Sequence, residues 1–123
     1  MSAAQRRGLA QAFVCAGRGI ALAARQRNFR IHLTIAGAVV LAGLGLRITA
    51  VEWALVILCF GLVLGLEAAN SALEALADRL HPAHDRMIGQ AKDLAAGAVL
   101  LASLAAAVVG LIVFLPRLLA TLP

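Results

Sequence analysis

Residues 94–115 contain no charged side chain. A helix of about 20 apolar residues crosses the hydrocarbon of a bilayer, where every backbone polar group must be satisfied within the structure itself. This run therefore predicts a spanning helix. The rest of the chain is of the same kind: 63% of its 123 residues are apolar and 14% are charged, against roughly 45–50% and about 25% in a soluble domain. The expected fold is an all-α integral membrane protein, one domain over residues 1–123.

The other elements follow from the same arithmetic. The apolar run 53–66 is too short to cross alone, so a second span is expected over 53–80, with its last turns in solvent and Pro82 as its end. Trp53 suits an interfacial anchor. A first span is expected over 31–51, rich in glycine (Gly37, Gly43, Gly45), with Arg47 and Glu52 marking a tight turn. The third is expected over 91–115, stopped by Pro116. Residues 8–30 mix Arg18, Arg25 and Arg30 with Phe13, Ile20, Leu22 and Phe29, which predicts an amphipathic helix lying in the interface plane. Gly61 and Gly65 form a GxxxG pair, which predicts close helix packing. No internal repeat is visible, which argues against a pseudo-symmetric transporter.

Charge sets the expected topology. Arg6, Arg7, Arg18, Arg25, Arg27 and Arg30 precede the first span, and Arg79, Arg86 and Lys92 flank the 81–93 loop, whereas the other side has Arg47 and Arg117. The positive-inside rule puts the N-terminus and the 81–93 loop in the cytoplasm and the C-terminus outside, as in a multi-pass protein of the bacterial inner membrane. The net charge of +5 suits anionic lipid; with no Tyr, one Trp and four Phe in the chain, aromatic–basic interleaving is too sparse for a nucleic-acid partner to be expected. Residues 1–30 lack the apolar core of a signal peptide, and although Arg-rich and acid-free they run into the first span without a processing-like break. Cys15 and Cys59 lie in different segments and read as free thiols.

Against this background, residues 67–78 stand out. Glu67, Asn70, Ser71, Glu74 and Asp78 fall within about 100° of arc on a helix of 3.6 residues per turn, with Leu66, Leu73, Leu76 and Leu80 on the other side. One reading is a helix leaving the membrane with a solvated side; it accounts for Asp78 and Glu74 better than for Glu67 and Asn70, which sit at membrane depth. Polar groups at that depth are costly and mark function. Carboxylates one or two turns apart suit Mg²⁺, which takes oxygen ligands from protein, phosphate and water. A carboxylate near the interface also suits a general base for a lipid hydroxyl. Lys92 and Asp93 open the third span on the same side, where the lysine could neutralise polyphosphate or snorkel to headgroups. Gly17-Arg18-Gly19 lacks P-loop spacing, and His32, His81 and His84 match no zinc pattern.

The combination Glu67-x-x-Asn70-Ser71-Ala72-x-Glu74-x-x-x-Asp78-Arg79, followed by Ala91-Lys92-Asp93, resembles the signature of the prokaryotic diacylglycerol kinase family, which includes undecaprenol kinases. Arg27-Asn28-Phe29-Arg30-Ile31-His32-Leu33 resembles the lead into that family's first span, in the form common among the undecaprenol-kinase-like members. The resemblance implies a homotrimeric bundle with active sites shared between subunits, moving the γ-phosphate of MgATP to the primary hydroxyl of diacylglycerol to give phosphatidic acid, or alternatively to undecaprenol to give undecaprenyl phosphate. It implies roles residue by residue. Glu67 would be the general base and Asn70 would position reactants. Glu74 would bind metal and nucleotide. Lys92 and Asp93 would contact nucleotide, and Asp78 and Arg79 would support. By position between the acids and Lys92, His84 and Asp85 are further candidate nucleotide contacts, with Arg18; Ser71 is a candidate supporting residue, and Glu67, Asn28 and Arg30 are candidate lipid contacts. The family's second metal-binding glutamate is Gln26 here, a neutral and weaker ligand. A non-enzymatic ion-binding or proton-relay protein, with Glu67 titrating, is the alternative class; it leaves Glu74, Asp78, Lys92 and Asp93 on one side without a reason.

Overall fold

The structure, a computed structural model, describes residues 8–81, 83 and 85–123. Its elements are α1 (Leu9–Ala23), α2 (Arg27–Gly45), α3 (Ala50–Leu80) and α4 (Arg86–Thr121). The last three are long and apolar enough to cross a membrane. At 1.5 Å per residue, the 31 residues of α3 and 36 of α4 reach ~46 and ~54 Å, beyond a hydrocarbon core of ~30 Å. Both helices therefore project past the apolar layer.

Each spanning helix turns one narrow seam inward. On α2 the buried residues Phe29, Ala36 and Gly43 recur every seven, as a helix–helix seam requires. On α3 they are Val56, Val63, Glu67 and Asn70, so the two polar residues occupy the same inward stripe as the valines. Ile48, Val56 and Val113 form a core at the α2–α3 turn, with Trp53, Phe60 and Phe114 packed around them. Most other large apolar side chains, among them Leu41, Leu58, Leu101 and Ile112, face outward, where hydrocarbon can cover them.

The α2–α3 turn is built tightly. Arg47 adopts φ 51°, while the Ile48 N–H donates to the Gly43 carbonyl at 3.2 Å and the Arg47 N–H to the Leu44 carbonyl at 3.4 Å. This is a Schellman closure, with arginine in the left-handed position that glycine usually fills. A capping box follows: Thr49 Oγ1 accepts from the Glu52 N–H at 3.3 Å, and Glu52 Oε2 from the Thr49 N–H at 2.6 Å. Gly43 leaves room for Trp53, whose ring would stand 2.8 Å from a Cβ there.

Three expectations are corrected. The helix expected over 8–30 is divided, because Gln26 turns extended (φ −74°, ψ 137°) and reorients the chain between buried Ala23 and buried Phe29. Pro116 does not stop the third span, since α4 runs on to Thr121. Proline removes one backbone bond and crowds the preceding turn; here Arg117, just beyond it, donates to Glu52 Oε2 at 2.6 Å and to the carbonyls of Leu46 and Arg47 at 3.3 and 3.4 Å, tying the continuation to the α2–α3 turn. Gly61 and Gly65 face open space, so their pair packs no helix within this chain. The exposed apolar residues of α1, such as Leu9, Phe13 and Ile20, do fit a helix lying at an interface.

Candidate active site

The polar stripe of α3 grades from core to solvent. Glu67 is 3% exposed and Asn70 6%; Ser71 and Glu74 are half-buried, and Asp78 and Arg79 are exposed. The helix period fixes this order: Glu67 and Asn70 continue the Val56–Val63 stripe, and the later residues approach the exposed end of α3 at Leu80. Asn70 Nδ2 donates to Glu74 Oε1 at 3.2 Å, an i, i+4 pair on one helix face. Its Oδ1 is buried and has no partner among the described residues. An unpartnered buried acceptor beside a carboxylate is a hard-oxygen set, and such a set fits a divalent cation that also takes phosphate and water oxygens. Among the described residues of one chain, no three His, Cys, Asp or Glu side chains converge to hold a metal, so oxygens from phosphate, water or a second copy would complete the shell.

The other expected residues divide. Lys92 and Asp78 meet across the α3–α4 interface, Nζ donating to Oδ1 at 2.8 Å. Asp93 is exposed one residue further on. Asp85 is the N-cap of α4, its Oδ1 accepting from the N–H groups of Met87 and Ile88 at 2.8 and 3.0 Å. Those two donors hold its carboxyl below the usual aspartate range. An aspartate just before a helix signals this cap in the sequence as well. Arg18 lies exposed on α1, Gln26 caps α2 without a side-chain bond, and Asn28 and Arg30 are exposed in the first turn of α2. Among the described residues, no side-chain hydrogen bond or ion pair joins these four to Glu74. His84 lies outside the described residues.

The structure adds a neighbour that the sequence pattern did not single out. His32, one turn into α2, places Nε2 4.0 Å from Glu67 Oε2. The only sequence signal for it was its place in the Arg27–Leu33 segment; the contact itself is tertiary. Together the site offers a dry carboxylate beside an imidazole, an amide–carboxylate pair one turn further along, and a Lys–Asp pair at the solvent end. Apolar groups and phosphates could meet along that gradient.

The chain is similar to known proteins over most of its length. The sequence profile of the prokaryotic diacylglycerol kinase family matches residues 14–114. The undecaprenol kinase of Bacillus subtilis is 38% identical over 109 residues, 88% of this chain and 89% of that protein. The diacylglycerol kinase of a Synechocystis species is 44% identical over 97 residues, 78% of this chain and 55% of the longer relative. A match across most of the chain, on a helical fold with three helices able to cross a membrane, makes this a membrane lipid kinase, and the chain belongs to the prokaryotic diacylglycerol kinase family.

Proposed function

We propose that the chain transfers the γ-phosphate of MgATP to the primary hydroxyl of a membrane lipid alcohol at the cytoplasmic face of the inner membrane. The observation that carries this is the buried Glu67, set at the head of a stripe that ends in solvent beside Lys92. Undecaprenol is the preferred acceptor, because the relative matched nearly end to end is an undecaprenol kinase. Diacylglycerol is the second reading, favoured by the higher identity to a diacylglycerol kinase over a shorter stretch.

The roles follow from position. Glu67, shielded from water, takes the hydroxyl proton as the lipid oxygen attacks the γ-phosphorus. A new O–P bond forms, the bond to the β–γ bridging oxygen breaks, and ADP leaves; the proton passes from Glu67 to water. Positioning and charge neutralisation supply most of the rate in such transfers. Glu74 and the free Oδ1 of Asn70 would hold the cation, with Gln26 as a weak further ligand, and Mg²⁺ bound there would neutralise phosphate charge. Lys92 and Asp93 would receive the nucleotide, with Arg18, Asp85 and His84 around it. Ser71, Asp78 and Arg79 support the face, and Asn28 and Arg30 lie where a lipid headgroup would approach. A homotrimer with shared sites would bring α1 of one copy over α3 of another and complete a cation shell that one chain lacks.

The test is direct. Purified chain in mixed micelles with MgATP is offered undecaprenol and diacylglycerol separately. Transfer to undecaprenol with the higher kcat/KM is expected; transfer to neither lipid refutes the reading.

A further inference from the structure

A cavity of about 300 Å³ lies between α2, α3 and α4. Ile35, Val39, Val56, Val63 and Phe114 are typical of its wall. Two polar side chains besides the weakly polar Cys59 line it, His32 and Ser103. His32 is the residue that meets Glu67 at 4.0 Å. The Ser103 hydroxyl is buried and has no hydrogen-bond partner among the described residues, an unfavourable state for a donor–acceptor group.

The height of Ser103 in the bundle follows from two ion pairs. Asp78–Lys92 and Glu52–Arg117 tie antiparallel α3 and α4 together near both ends. Ser103 follows Lys92 by as many residues as Glu67 precedes Asp78, and both helices rise equally per residue. Ser103 is therefore level with Glu67. Three helices bring one polar group each to a single layer, with the apolar cavity extending from it towards the α2–α3 turn.

We propose that His32, Glu67 and Ser103 seat the acceptor's hydroxyl, and that the cavity takes the first stretch of its hydrocarbon chain. This deepens the lipid-kinase reading and rests on it. An oxygen ~2.8 Å from both His32 Nε2 and Glu67 Oε2 subtends roughly 90° between them at their 4.0 Å separation. A hydroxyl there donates its proton to Glu67 and accepts an N–H from His32. Ser103 adds a third contact and gains the partner it lacks. A cavity at the lower end of ligand-pocket volumes accommodates part of one chain, not a whole lipid. Beyond the polar layer its wall offers only the Cys59 thiol, a weak donor. The seat therefore selects a primary alcohol whose next carbons are hydrocarbon, as in a polyprenol. An acylglycerol would carry its ester carbonyls into a wall with no further donor.

The experiment uses the full chain in mixed micelles. Undecaprenol and diacylglycerol are offered in separate arms to the parent, Ser103→Ala and Ser103→Thr. In a parallel arm, a prenol with a diazirine in its first isoprene unit is photo-crosslinked to the parent and to Ala106→Phe. Ser103→Ala should raise the undecaprenol KM five- to tenfold with the ATP KM unchanged, and Ser103→Thr should restore it. The photoprobe should label cavity residues such as Cys59, and Ala106→Phe should block labelling while keeping the parental melting temperature. A parental acceptor KM in Ser103→Ala, or labelling of outward residues such as Leu100 and Leu104, overturns the proposal. So does a parent that excludes the probe because a second copy fills the cavity. A parent that labels in the cavity but transfers phosphate to neither lipid sinks the kinase reading and leaves the seat standing; normal transfer without labelling does the reverse.

Discussion

Gly43→Ala puts the packing at the α2–α3 turn to a quantitative test. A Cβ at Gly43 would stand 2.8 and 2.9 Å from Cη2 and Cζ2 of Trp53 and 3.1 Å from Cδ1 of Ile48. Ordinary carbon contacts need about 3.5 Å or more, so the indole must retreat by roughly half an ångström. Trp53 is half-buried against the Ile48–Val56–Val113 core, so moving its indole disturbs that packing. Overpacking of this kind costs about 1–3 kcal/mol. Replacing a helical glycine by alanine returns at most ~1 kcal/mol, and less near a helix end, so the expected net loss is about 1–2 kcal/mol. Gly37→Ala is the matched control on the same helix: its Cβ meets nothing within 4 Å, so stability should rise by up to ~1 kcal/mol. Thermal unfolding in micelles, followed by helical circular dichroism, reads both. Transfer per folded molecule should be unchanged in Gly43→Ala, since Gly43 lies three turns from His32. Equal or greater stability of Gly43→Ala than of Gly37→Ala would refute the packing argument.

Three further outcomes follow. Arg47→Gly should stabilise the chain by about 1 kcal/mol, because it removes the side-chain penalty of a left-handed residue and keeps the carbonyl that Arg117 uses; an unchanged or lowered midpoint in the same melt would count against that turn. Asp85 carries a depressed carboxyl, so its cap stabilises α4 above the ordinary aspartate value near pH 4 and the contribution fades as pH falls through the lower folded value; amide exchange at Met87 and Ile88 should quicken in Asp85→Ala at pH 6, and Asp85→Asn should flatten the acid dependence. Lys92→Met should raise the ATP KM tenfold or more, whereas Asp78→Asn, which releases Lys92, should change it little; steady-state kinetics at saturating lipid would distinguish a nucleotide lysine from one that only bridges α3 and α4.

The spans were legible because their signal is compositional: 94–115 lacks charge, and nothing tertiary can reverse that. The stripe was legible because the helix period puts Glu67 and Asn70 in phase with Val56 and Val63, and so inside. The break at Gln26 was not legible, for Ala24-Arg25-Gln26 contains no glycine or proline; buried Ala23 and Phe29 on either side decide it. Pro116 misled because a local stop signal was outweighed by Arg117 reaching Glu52 across the sequence. Asp85 was legible as a cap and was read instead, from its place between the acids and Lys92, as a nucleotide contact. His32 against Glu67, and Ser103 at the same height, belong to three different helices, and no spacing along one helix encodes their meeting.

The account stands most directly on Glu67 as the group that takes the acceptor's proton. Glu67→Gln keeps the shape and burial of the side chain and removes the basic oxygen. With undecaprenol and MgATP saturating, kcat should fall by about 10²–10⁴-fold, while the melting temperature and ATP affinity stay near parental. Turnover within tenfold of the parent, in a protein that melts normally, would contradict the assignment.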